Sequence, residues 1–96
     1  MLHARQDYQG RIQDSENKIP TEEPVFLLRA QDETAAAVLR HWIRLNKKSL
    51  AENRKLSTKK RPEFDQANRG RIKAIALAEA HVFLFDDWKQ KKAADV

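Results

Sequence analysis

The residues with the clearest capacity for chemistry are cationic and crowded together. Between Arg40 and Lys73 stand twelve Lys or Arg side chains against three acids, Glu52, Glu63 and Asp65, a local balance of +9 within a chain of net charge +5. The flanking segments are mildly acidic, −3 over Met1–Leu39 and −1 over Ala74–Val96. A block of this kind selects an anionic partner: a nucleotide, a nucleic acid or an acidic protein face. Guanidinium groups grip phosphate through paired N–H donors, and lysine adds a compact point charge. Arg40, Arg44 and Lys47 recur at helical steps and share a flank, and Arg69 and Arg71 open the next helical stretch. Arg29 and Gln31 lie just ahead of a helix start, where free backbone N–H groups attract anions. These seven residues form the candidate ligand-binding set, with Trp42 as a stacking aromatic for a nucleotide base. Two plainer readings stand beside it. The block is also what a solvated, soluble surface looks like, and Asp32 can simply cap its helix while Arg29 pairs with a nearby acid.

Other chemistries lack carriers. His3, His41 and His81 lie about forty residues apart, without the i, i+4 pairing or carboxylate framing of helical metal sites. The chain has no cysteine, which removes thiol nucleophiles, disulfides and cysteine-based metal sites together. Gly10 and Gly70 are its two glycines, and neither belongs to a phosphate-cradling loop. Glu79, Asp86 and Asp87 recur along one helical stretch, where isolated acids on a wet face are the commoner arrangement. No catalytic residue, metal ligand or cofactor is assigned, and the expected class is a non-enzymatic binder.

The elements that must carry the cations follow from hydrophobic spacing. The residues at 1–19 are polar and aperiodic and are expected to form an N-terminal arm, with residues 20–96 a single helical domain. Pro20 and Pro24 push the residues before them towards extended backbone, so Val25–Leu28 is expected to be a buried extended segment. Asp32 is the expected N-cap of a helix whose apolar positions, Ala35, Val38, Leu39, Trp42 and Leu45, carry it to about Lys48, or with a bend to Arg54. Ser57–Arg61 reads as a polar connector. Pro62, followed by Glu63 and Asp65, suits the first turn of a second helix. Its stripe of Phe64, Ala67, Arg71, Ala74 or Ile75, Ala78, His81 or Val82, Phe85 and Trp88 predicts one helix over Pro62–Gln90, about 43 Å long. The fold class is therefore all-α: a helical hairpin of Asp32–Lys48 and Pro62–Gln90, with an extended N-terminal arm.

A second apolar set on the long helix, Ile72, Ala76, Leu77, Ala80, Phe83 and Leu84, makes it apolar nearly all round between Ile72 and Phe85. Such a helix has to be covered on more than one side, and in a chain of 96 residues the second cover is expected to be another subunit, giving a homo-oligomer. Apolar runs fall short of the ~18 residues of a membrane span, and the polar start lacks the pattern of a secretory signal; a cytoplasmic, membrane-free protein is expected.

The run Lys18-Ile-Pro-Thr-Glu-Glu-Pro-Val-Phe-Leu-Leu-Arg-Ala-Gln-Asp32, followed by Ala37, Leu39, Trp42, Ala78-Glu-Ala-His81 and Trp88, resembles a group of small uncharacterised bacteriophage and prophage proteins. The resemblance spans Lys18 to Trp88 and is distinctive over Glu23–Asp32; the basic stretch Lys47–Arg61 departs from it. It implies a small accessory phage protein acting in the bacterial host cytoplasm, of the kind that sequesters a host immune nucleotide signal or blocks a host protein. It carries over no site residues. The alternatives to a nucleotide binder are a non-specific nucleic-acid-binding accessory protein and a protein–protein inhibitor that uses the apolar face of the long helix.

Overall fold

The computed structural model describes residues 1–94. The chain is mostly helical: α1 (Ala35–Leu56), α2 (Arg61–Ala67) and α3 (Arg69–Ala94) follow an N-terminal arm that contains two short strands, β1 (Leu2–His3) and β2 (Pro24–Val25). Helices α1 and α3 lie antiparallel and form the hairpin, with α2 folded across the end where α1 finishes.

Apolar residues at three- and four-residue steps build the seam between α1 and α3. Ile43, Ile75, Ala78 and Val82 form one buried cluster, flanked by Leu39 and Leu50; Ala35, Ala36 and Phe85 form a second, flanked by Ala30 and Leu39. The seam is thin. Ile43, Val82 and Phe85 each keep 8% exposure, so a single layer of two helices holds most of the core.

Three helix boundaries differ from the sequence expectation. Asp32 does not cap α1: Thr34 holds that position without a side-chain cap bond. The Asp32 carboxylate instead accepts hydrogen bonds from the Thr34 N–H at 2.8 Å and hydroxyl at 2.7 Å, a local turn that competes with the helix for the same side chain. At its other end α1 runs eight residues past Lys48 and two past the alternative end at Arg54, because Ser49–Leu56 contains no breaker and carries Arg54 and Lys55 in the last turn, where their charge suits a helix C-terminus. The expected single helix over Pro62–Gln90 is broken at Asn68. There the side-chain amide donates to the Phe64 carbonyl oxygen at 2.9 Å, the same atom that the Asn68 backbone N–H reaches at 3.0 Å. Gly70, two residues on, adds little resistance to the kink.

The arm folds back on itself. Strands β1 and β2 pair in parallel, Leu2 opposite Pro24 and His3 opposite Val25, and the Met1 ammonium donates to the carbonyl oxygens of Pro20 and Thr21. Between them, Asn17 takes a φ of 52° in the turn that starts at Asp14, a conformation asparagine tolerates better than most residues. Tyr8 is buried beneath the guanidinium groups of Arg5 and Arg11, at 4.7 and 5.8 Å from its ring, with His3 packed edge-on. Val25–Leu28 is extended only over Pro24–Val25 and is not buried: Phe26 is 73% exposed. Its strand pairs on one edge alone, and β1 is too short to cover it. Leu28 alone of this run reaches the groove between α1 and α3.

Candidate anion-binding cleft

The seven candidate residues and Trp42 do not converge on one place. Arg29 lies in the arm, its guanidinium 3.5 Å from the Tyr8 hydroxyl. Gln31 is exposed and lines a shallow hollow with Trp88, Lys89 and Lys92. Arg40, Arg44 and Lys47 do share one flank of α1, as their spacing predicts. That flank faces the acids of α3, so Arg40 pairs with Asp86, and Lys47 pairs with Glu79 at 3.2 Å. Arg71 turns back to α1, where it donates to the Ser49 hydroxyl at 3.1 Å. Trp42 stands a quarter-turn or more away from Arg40, Arg44 and Lys47, on the opposite flank of the hairpin, so it cannot stack on a ligand they hold.

Two members of the set, Lys47 and Arg69, meet elsewhere. They border an open cleft of about 830 Å³ between the last turns of α1, the connector, α2 and the start of α3. Its rim carries five cations, Lys47, Arg54, Lys55, Arg61 and Arg69, and one acid, Asp65; its floor is apolar, built on Leu50, Pro62, Phe64 and Ile72. The volume lies within the range of small-molecule sites, about 300–1,000 Å³. Local chemistry explains each wall. The eight-residue extension of α1 brings Arg54 and Lys55 to the rim. Pro62 starts α2 sharply, and α2 buries Phe64 as its anchor, 5% exposed. Arg69, the first residue of α3 after the break at Asn68, completes the rim.

The rim cations fall into two groups. Lys47 is tied to Glu79 and Arg61 to Asp65 at 3.3 Å. Arg54 lies over the Phe64 ring at 5.4 Å and donates to the Lys59 carbonyl oxygen at 3.3 Å, which fixes it as part of the wall. Lys55 and Arg69 have neither a carboxylate nor a hydrogen-bonding partner among the described residues. Two unpaired cations beside an apolar floor offer both charge-assisted donors and apolar surface to a ligand.

Comparison with protein-family models, with curated proteins and with solved structures finds no match. Among the described residues no three His, Cys, Asp or Glu side chains gather where they could hold a metal ion, and no helix is long and apolar enough to cross a membrane. His3 is buried in the arm with both ring nitrogens unpartnered, whereas His41 and His81 are exposed on separate helices. None of the three lines the cleft.

The sequence set missed Arg54, Lys55 and Arg61. All three belong to the basic block, so charge alone could have included them. With the helix ending at Lys48, or with a bend at Arg54, the hydrophobic spacing gives Lys55 and Arg61 no fixed position relative to Arg69.

Proposed function

We propose that this chain is a non-enzymatic binding protein that takes up a small phosphorylated ligand, of nucleotide size, in the cleft between α1 and α2. Lys55 and Arg69 would hold the phosphate, and the apolar floor would receive the organic part. The observation that carries the reading is the pair of unpartnered cations placed over that floor. A cleft built within one chain needs no second subunit to complete it. In a phage setting such a protein could sequester a nucleotide signal of its host.

Tracking along a nucleic-acid backbone is less well served. A track needs a continuous row of free cations, and Arg40 and Lys47 on the long flank are already neutralised by Asp86 and Glu79. The two readings separate in a thermal-shift titration with cyclic nucleotides and with duplex DNA at low salt. The proposal expects stabilisation by a cyclic nucleotide, lost in Lys55→Ala/Arg69→Ala and retained in Arg40→Ala. Stabilisation by DNA alone, or by neither ligand at millimolar concentration, would overturn it.

A further inference from the structure

The hairpin has a broad face that its own chain covers only in part, where Leu28 sits in the groove beside Leu77 and His81 and where Ala30, Gln31 and Glu33 border Trp88. On α3, Leu77, His81, Leu84 and Trp88 follow four-, three- and four-residue steps; on α1, Val38, Trp42, Leu45 and Ser49 do the same. This is the spacing with which helices pack in bundles. Each helix thus carries two seams. The inner ones meet each other through Ile43, Ile75, Val82 and Phe85. The outer ones are open to water: Leu77 is 61% exposed, Leu84 58% and Leu45 53%, with Val38, Trp42 and Trp88 also exposed. Both outer seams belong to the same broad side of the hairpin. The pairs Arg40–Asp86 and Lys47–Glu79 mark the other side, and each outer seam lies about a quarter-turn or more from them around its own helix.

Size and charge indicate what covers this face. A folded monomer of 11.2 kDa exposes about 5,700 Å², and this chain exposes 7892 Å², an excess of roughly 2,200 Å². A standard interface takes about 800 Å² from each partner, so the excess is ample for one. The radius of gyration is 16.8 Å, against about 12.5 Å for a compact chain of this length. The shortest dimension is 18 Å, a single layer of helices where folded domains have two. The eight outer-seam residues include no Asp, Glu, Lys or Arg. On a chain of net charge +5, that is a place where a second copy can approach without charge repulsion, and it offers no charge by which to select a different protein.

We propose that a second copy of the chain covers this face, the outer seams of two hairpins meeting to make an antiparallel four-helix bundle. The inference is independent of the anion-binding cleft, which lies at the α2 end and uses other residues. Sedimentation equilibrium of the full chain at micromolar concentration tests it, with Leu84→Glu and Phe83→Glu compared. Phe83 is 76% exposed but lies over a quarter-turn away from Leu84, off the seam. The expected results are a wild-type mass at least twice 11.2 kDa, a dissociation constant raised about 100-fold or more in Leu84→Glu because two carboxylates would be buried, and no change in Phe83→Glu. A cooperatively folded wild-type monomer would overturn the proposal. So would an assembly that survives Leu84→Glu and Trp42→Glu. Should Leu84→Glu unfold, the wild-type mass and the Phe83→Glu comparison still decide.

Discussion

The middle and the end of α1 carry similar cations with opposite fates. In the middle, Arg40 and Lys47 look across to α3 and are held by Asp86 and Glu79. Two turns further on, Lys55 borders the same apolar floor as Arg69, and the one acid on that rim, Asp65, pairs with Arg61. A count of charges along the sequence treats these regions alike. The difference comes from which residues the antiparallel register of the hairpin sets opposite each cation. Charge that the fold has already answered supplies little binding energy, and charge left unanswered beside apolar surface is what a ligand can use.

The largest effect should come from removing the unanswered charge. Lys55→Ala/Arg69→Ala is expected to lower affinity for a cyclic nucleotide by about 100-fold, two charge-assisted hydrogen bonds at about 1.5 kcal/mol each. Isothermal titration calorimetry reads this directly, and Arg40→Ala should change affinity by no more than about threefold. Equal losses in the two variants would erase the distinction between the regions.

The next effect is on stability. Phe64 anchors α2 and lies beneath Arg54, so Phe64→Ala should cost about 3 kcal/mol in urea denaturation, a cavity in a thin core. The cleft should lose its wall, while the Arg40–Asp86 flank keeps its geometry. Smaller again is the flank itself. Arg40→Ala or Glu79→Gln removes one partner of a half-exposed ion pair and should cost about 0.5–1 kcal/mol, less at high salt.

The smallest effect concerns a charge answered locally. The Thr34 hydroxyl, and then the Thr34 backbone N–H, hold the Asp32 carboxyl below the ordinary carboxylate range. A lowered value means that the ionised form is favoured in the folded chain. Its contribution is present above the unfolded value of about 4 and is lost as pH falls through the lowered one. The difference in melting temperature between wild type and Asp32→Asn should thus shrink as acid is added below about pH 4.

Much of the architecture was legible because hydrophobic spacing is local. The α1–α3 hairpin follows from Ala35 and Leu39 on one helix and from Ala78 and Phe85 on the other, but Val38, Trp42 and Leu45, expected on the same apolar face, are exposed, and Ile43, left out of that face, is buried. What was not legible depends on competition or on distance in the chain. The long helix breaks at Asn68, whose side-chain amide bonds the Phe64 carbonyl beside its own backbone N–H, a local arrangement that apolar periodicity does not record. The two-residue pairing of Leu2–His3 with Pro24–Val25 is too short to leave a pattern. The neutralising of Arg40 and Lys47 depends on the register between α1 and α3, which joins residues 46 and 32 positions apart. For the cleft, the residue types were visible throughout the basic block. Their grouping was not, because it needed the true end of α1 and the kink after α2.

The most direct test of this account is residue-resolved. In 15N–1H correlation spectra of the full chain titrated with a cyclic nucleotide, the amide signals of Lys55, Phe64 and Arg69 should move together and saturate at one concentration, while those of Arg40 and Arg44 stay in place. Movement centred on Arg40 and Arg44, or no saturable movement at any of these positions, would contradict it.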